Sequence, residues 1–189
     1  MTYTLIIDTE TTGFPTMTNK RTYHDYTESE MYNTSRMLEL GFIMYKDGKE
    51  IETFDKIVKV DFPIYNNDIH GITNNKSRDE GIDINDIFTL LYKTIKNKDV
   101  TIVAHNIKFD MNIILAEAYR NDHIALIEKL KQCNQICTCV LAREKLKLKY
   151  YIKLVNLYKK LFNKQIEQEH RALSDVRLCS DCYFKLIEL

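Results

Sequence analysis

Apolar runs of strand length and apolar stripes of helical spacing succeed one another along the chain, and their order predicts an architecture. Tyr3-Thr4-Leu5-Ile6-Ile7 is short, apolar and β-branched, which predicts a buried strand ending at Asp8. Arg36 to Tyr45 predicts a second strand, Asp47-Gly48 a two-residue hairpin turn, and Glu50 to Val60 a third strand. Residues 14 to 35 are polar, rich in Thr and Tyr, and show no period. They read as a long loop or insertion beside the first strand, either functional or a disordered surface excursion. Residues 69 to 73 follow Pro63 as a loop or short helix. Ile84, Ile87, Phe88, Leu91, Tyr92 and Ile95 have helical spacing behind a cap at Asp83 or Asn85. Val100 to Ala104 predicts a fourth, buried strand, with Ile113, Ile114, Leu115 and Ala118 in the helix after it. Gln135 to Cys139 predicts a fifth strand, residues 140 to 162 a helical stretch, and a last helix starts near Ala172. An antiparallel start followed by alternating strands and helices gives an α/β fold with a mixed sheet and helices on its faces.

Composition narrows this picture. With 44% hydrophobic and 29% charged residues in 189, the chain suits one domain, residues 1–189, with a sizeable core; no repeat or linker divides it. Its 27 basic and 27 acidic side chains cancel, so any polyanion partner must meet a local patch or a metal. One stretch departs from neutrality: Arg143, Lys145, Lys147, Lys149, Lys153, Lys159 and Lys160 interleave with Tyr150, Tyr151 and Tyr158. That is either a solvated face or a phosphate-tracking surface. The chain has no apolar run of membrane length and no charged-then-apolar N-terminal segment, so the expectation is an intracellular, cytoplasmic protein without a membrane partner. The five Cys lack regular spacing, which fits reduced thiols. Cys179 and Cys182 lie on the apolar stripe of the last helix, as small hydrophobes rather than zinc ligands.

The candidate chemistry begins at Asp8-Thr9-Glu10-Thr11-Thr12-Gly13. Side chains alternate along a strand, so Asp8 and Glu10 point the same way. Two such carboxylates either stay solvated at the strand end or raise each other's pKa until a cation sits between them. A hard divalent ion, Mg²⁺ or Mn²⁺, suits the oxygen donors. Asp110 falls in the first turn of a helix, where the helix dipole favours an anion on structural grounds alone. His170 and Asp175 are five residues apart and would diverge on one helix. With His170 in the preceding loop and Asp175 in the helix, they can converge.

Taken in order, Asp8-x-Glu10, Ala104-His105-Asn106 with Phe109-Asp110, and His170-Arg171-Ala172-Leu173-x-Asp175 resemble the three motifs of the DEDDh (DnaQ-like) 3′–5′ exonuclease family. Ile69-His70-Gly71-Ile72-Thr73 is similar to a frequent family segment, and the resemblance spans about residues 3 to 187. It implies a ribonuclease-H-like mixed five-stranded sheet, the first three strands antiparallel, with helices on both faces. It implies two divalent metal ions, Mg²⁺ or Mn²⁺, with Asp8 bridging, Glu10 and Asp175 completing the first site and Asp110 holding the second. Two cations in such a site stabilise both the attacking and the leaving oxygen of a phosphodiester. His170 would be the general base, since imidazole exchanges a proton near neutral pH.

The substrate implied is the 3′ end of single-stranded DNA or RNA, released as nucleoside 5′-monophosphates in proofreading or trimming. Thr11, Thr12, Gly13, Phe14, His70, Asn106 and Phe109 would meet the terminal nucleotide, with Phe14 as a wedge or stacking surface; packing roles are the alternative. The implied partners extend to a DNA polymerase held non-covalently and to a second copy of the chain. The sequence departs from the family at Ser174, where many members carry an acid, at Cys137, where many carry an Asp, and in the length of the 14–35 segment. The alternatives are a non-catalytic nucleic-acid- or partner-binding module on the same fold and another metal nuclease of that fold. All five catalytic positions are filled, which favours the exonuclease.

Overall fold

The structure, a computed structural model, describes residues 2–65, 67–166 and 169–189. Five strands, β1 (Tyr3–Thr11), β2 (Met37–Lys46), β3 (Lys49–Ile57), β4 (Val100–Ala104) and β5 (Asn134–Cys137), form one sheet in the order β3-β2-β1-β4-β5. β1, β2 and β3 are antiparallel, and β4 and β5 run parallel to β1. This is the mixed, ribonuclease-H-like sheet the sequence predicts. The helices are α1 (Asn67–His70), α2 (Asn74–Glu80), α3 (Ile84–Ile95), α4 (Ile107–Arg120), α5 (Ile124–Gln132), α6 (Thr138–Lys145), α7 (Leu154–Phe162) and α8 (Ala172–Ile187).

Alternation along β1 divides the core into two layers. Leu5 and Ile7 pack with Phe42, Ile102 and the apolar stripes of α3, α4 and α5. Ile6 packs on the opposite face with Ile43, Val103 and residues of α6, α7 and α8, among them Leu157, Val176 and Cys179. The same parity carries past the apolar run: Thr9 falls on the α4 side, and Asp8 and Glu10 on the α8 side. Both layers are dry, so β1 reads as a continuous apolar run rather than an alternating one.

Several expectations are corrected. β1 continues three residues beyond Asp8 to Thr11, because Glu10 and Thr11 still find partners in Glu39 and Met37 of β2. β3 stops at Ile57; Val58 instead bridges Ile82. The 14–35 segment is not a surface excursion. It holds a 3-10 turn at Ser29–Tyr32 and a bridge between Met17 and Tyr23, and Tyr32 is buried in the core. The Tyr32 hydroxyl donates to the His24 carbonyl at 2.6 Å, and Arg120 of α4 donates to the Ser29 carbonyl and to Asn33. α2 escapes the apolar pattern because only Ser77 of its seven residues is buried; Thr73 caps it by accepting from the Lys76 amide at 3.1 Å. α5 escapes because its stripe, Leu126, Ile127 and Leu130, is short. Thr138 and Cys139 belong to α6, not β5.

The stretch from 140 to 162 is two helices, α6 and α7, separated by residues 146–153. Leu146-Lys147-Leu148-Lys149 alternates with period two, which sustains no helical stripe, and Lys147 sits at φ 52°. His105, just after β4, makes a 2.9 Å hydrogen bond to the Ile152 carbonyl and pins this arm beside the start of α4. All five cysteines are free, with Cys179 and Cys182 buried as small hydrophobes. Among the described residues no helix is long and apolar enough to cross a membrane.

Candidate active site

At the carboxyl end of β1, strand parity aims Asp8 and Glu10 at α8, whose first turn carries Asp175. Carboxylate oxygens of Asp8, Glu10 and Asp175 all lie within 4.8 Å of one another. Packing of this kind needs α8 to approach the sheet closely, and Gly41 allows it. Gly41 pairs with Asp8 across the sheet, and a Cβ there would stand 2.7 Å from the backbone of Ala172 and Leu173.

Asp110 comes from the other layer. It is buried in the first turn of α4 and accepts hydrogen bonds from the Thr9 amide at 3.0 Å and the Thr9 hydroxyl at 2.9 Å. Thr9 thus hooks α4 to β1 between the two acids. Asp110 stands outside the close trio but near enough to raise the pKa of Asp8 and of Glu10.

The electrostatics follow from this crowding. Asp8 is pushed well above the usual carboxylate range, first by burial and then by Asp110, Asp175, Glu10 and Glu39. Glu10 is pushed up to about 8 by burial, then by Asp175, Glu39 and Asp110, with Arg171 opposing. Asp110 is pushed up to about 7 by burial, against the pull of the two Thr9 hydrogen bonds. Hard oxygen donors at this spacing, on carboxyls that the protein leaves short of positive charge, fit a divalent cation such as Mg²⁺ or Mn²⁺.

His170 is exposed, one residue before the backbone that enters α8, at φ 48°. It lies outside the carboxylate trio and near His70. His70 is buried and its pKa is lowered, first by burial; Glu39 and Asp68 oppose this, while Arg171 and His170 add to it. His70 Nδ1 accepts from the Ile72 amide at 3.1 Å, which puts the ring proton on Nε2, and Nε2 makes no hydrogen bond.

A cavity of about 270 Å³ opens beside Glu10, lined by Thr11, Thr12, Gly13, Phe14, His70 and Phe109 together with Thr9 and Ile69. Six of the seven residues that the resemblance offers for the terminal nucleotide therefore share one hollow. Phe14 is 82% exposed and meets Phe109 edge to face, with ring centroids 5.9 Å apart. The hydroxyls of Thr11 and Thr12 are engaged with the carbonyls of Gly13 and Thr34. Asn106 is not in the lining. It is the exposed residue before α4, at φ 70°, close to Tyr23 of the 14–35 segment.

Two residues near the site escape the sequence reading. Thr9 looks like any strand residue between two acids. Glu39 is fully buried on β2, directly opposite Glu10, and accepts from Arg171. The available signal is a lone acid in the otherwise apolar run Met-Leu-Glu-Leu-Gly-Phe-Ile-Met, since a buried charge must be paired. In the basic stretch that the sequence singles out, Tyr150 and Tyr151 are exposed, with Lys149 5.3 Å above the first ring and Arg143 4.8 Å above the second.

A mixed sheet in the order β3-β2-β1-β4-β5, with acids from β1, α4 and α8 gathered near the carboxyl end of its central strand, defines the ribonuclease-H-like class of fold. The chain belongs to the exonuclease family: the family model described as exonuclease (RNase_T) matches residues 5–183. Exonuclease X, solved in complex with 5′-overhanging duplex DNA, is similar at 25% identity and TM-score 0.64 over 98% of this chain and 91% of that one. E. coli exonuclease I, solved with a dA16 oligonucleotide, shares the fold at 18% identity and TM-score 0.74 over all of this chain. This chain spans about 41% of the length of exonuclease I. No curated protein matches the chain by sequence.

Proposed function

We propose that the protein is a metal-dependent 3′–5′ exonuclease that hydrolyses the terminal phosphodiester of single-stranded DNA or RNA and releases nucleoside 5′-monophosphates. The observation that carries the reading is the convergence of Asp8, Glu10 and Asp175 within 4.8 Å beside a nucleotide-sized cavity. In this reading Asp8, Glu10, Asp110 and Asp175 hold two divalent cations, Mg²⁺ or Mn²⁺. When bound, the cations supply charge neutralisation at the phosphate and a more acidic water. His170, exposed just before α8, takes the proton from the attacking water. His70, which lines the hollow, would meet the terminal nucleotide. Phe14 and Phe109 offer it a stacking face that tolerates any base, worth about 1–3 kcal/mol. The exposed Tyr150 and Tyr151, each with a cation over its ring, offer further bases a stacking surface.

The test uses DNA and RNA oligomers of one sequence, labelled at the 5′ end, single-stranded or annealed to leave a recessed 3′ end. Each is incubated with wild type and Asp8→Ala in Mg²⁺, Mn²⁺ or EDTA. The expected result is a metal-dependent ladder shortening from the 3′ end, absent with Asp8→Ala and with EDTA. Full activity of Asp8→Ala, or shortening from the 5′ end, would overturn the reading. Binding without cleavage would favour a non-catalytic module.

A further inference from the structure

The backbone that presents His170 is held by something other than a local cap. His170 adopts φ 48°, in the left-handed region that side chains with a Cβ rarely occupy. Arg171, the residue before α8, is extended at φ −124° and ψ 133°, and its side chain caps nothing in the helix. The first amide of α8 is nevertheless satisfied from across the sheet. Ala172 N–H donates to Glu39 Oε2 at 2.9 Å. The Arg171 Nε donates to both Glu39 oxygens at 3.1 Å, and its Nη2 donates to Oε1. The Arg171 carbonyl in turn accepts from the Asp175 amide at 3.0 Å, closing the first turn. Asp55 of β3 also lies against the Glu39 carboxyl; its pKa is raised by burial first and then by Glu39.

One fully buried carboxylate on β2 therefore reaches the side chain just after His170, the amide after that and, through the first turn, Asp175. A buried ion pair adds little net stability over an apolar replacement, but a two-pronged guanidinium–carboxylate contact fixes direction. We propose that Glu39 and Arg171 are positioning residues, which lock the backbone at His170–Ala172 and so set where the His170 imidazole stands above the carboxylate trio. The proposal rests on the reading of His170 as the proton acceptor.

The experiment is a double-mutant cycle on the full chain. kcat and KM are measured for wild type, Glu39→Gln, Arg171→Lys and His170→Ala, and for each of the first two combined with the third. Glu39→Gln keeps the shape of the carboxylate and loses its charge; Arg171→Lys keeps the charge and loses the fork. The expected result is a kcat loss of roughly tenfold to a hundredfold in each single variant, part of what general-base catalysis supplies. KM should change by no more than about twofold. On the His170→Ala background the same substitutions should cost about nothing further, because they act through the missing ring. Losses that multiply instead, or single variants with wild-type kcat, overturn the proposal. If Glu39→Gln fails to fold, the half-exposed Arg171 carries the cycle.

A second readout is independent of turnover. The His170 ring signal in a ¹³C-histidine spectrum should be single and sharp in wild type and broadened or split in both variants. An unchanged signal overturns the proposal. If His170→Ala keeps full activity, the base assignment has failed, and the ring signal alone decides whether Glu39 and Arg171 fix that side chain.

Discussion

On the α4 side of β1, the Asp110 carboxylate is met by two donors of Thr9 and sealed from water. On the α8 side, Asp8, Glu10 and Asp175 face one another, with Glu39 behind them and Arg171 turned mainly to Glu39. One strand thus offers acids two environments one residue apart. The first is satisfied by the protein's own hydrogen bonds. In the second, Asp8 and Glu10 face mainly other carboxylates, and that excess of negative charge is what invites a cation. The difference teaches that a carboxylate's role here is set by which donors its neighbours present, not by burial, since burial leads the rise in pKa on both sides.

The largest expected effect comes from breaking the α8 side. Asp8→Asn keeps the side chain's size and removes the charge that faces both Glu10 and Asp175. Metal-supported cleavage should fall by on the order of a hundred- to a thousandfold or more, as when a group that stabilises transition-state charge is removed. The fold should persist, which circular dichroism checks. A variant that cleaves as wild type would mean that the trio is not the reacting centre.

A pH series sharpens the contrast further. Folding raises the pKa of Glu10 from 4.5 to about 8 and that of Asp110 from 3.8 to about 7, so between those values the folded state holds protons that the unfolded state has released. The stability these groups contribute is fully present below their unfolded values and is lost as pH rises through the folded ones. The metal-free protein should therefore melt at lower temperature at pH 8 than at pH 5. Mg²⁺ or Mn²⁺ should raise the midpoint more at pH 8 than at pH 5. Calorimetry in EDTA and in metal checks both signs; equal metal gains at the two pH values would mean that the cation does not meet these carboxyls.

The smallest effect belongs to the α4 side. Thr9→Val removes one of two donors to a buried carboxyl and should cost about 1–3 kcal/mol of stability in a denaturant titration. It should also push the Asp110 pKa further up, because the hydroxyl now holds it down. Loss of activity without loss of stability would assign Thr9 to the chemistry instead.

Much of this was legible from local pattern. The parity of Asp8 and Glu10 follows from a strand's period of two. The placement of His170 in the loop and of Asp175 in the helix follows from where α8 starts, and both placements hold in the structure. β4 falls on Val100–Ala104 as the apolar run predicts. What stayed hidden depends on partners distant in sequence. Thr9 matters only because α4 brings Asp110 to it across 101 residues, and Glu39 only because Arg171 lies 132 residues on. α2 was missed because a helix with one buried residue has no stripe to read. The helical reading of 140–162 failed where the Lys–Leu alternation turned the chain out to meet His105.

The 14–35 segment leaves and rejoins the sheet at one point. Thr12 N–H donates to the Arg36 carbonyl at 3.0 Å, and the Arg36 amide donates to the Thr12 hydroxyl at 2.9 Å. That clasp separates the segment's length from the strand's register. Lengthening a closed loop is thermodynamically mild, about 0.6 kcal/mol for each doubling. β1 has no such slack, because a slip of one residue exchanges its faces and would turn Asp8 toward α4 and Thr9 toward α8. Insertions between Thr12 and Arg36 can thus reshape the rim of the cavity, while a single deletion within β1 would dismantle the site.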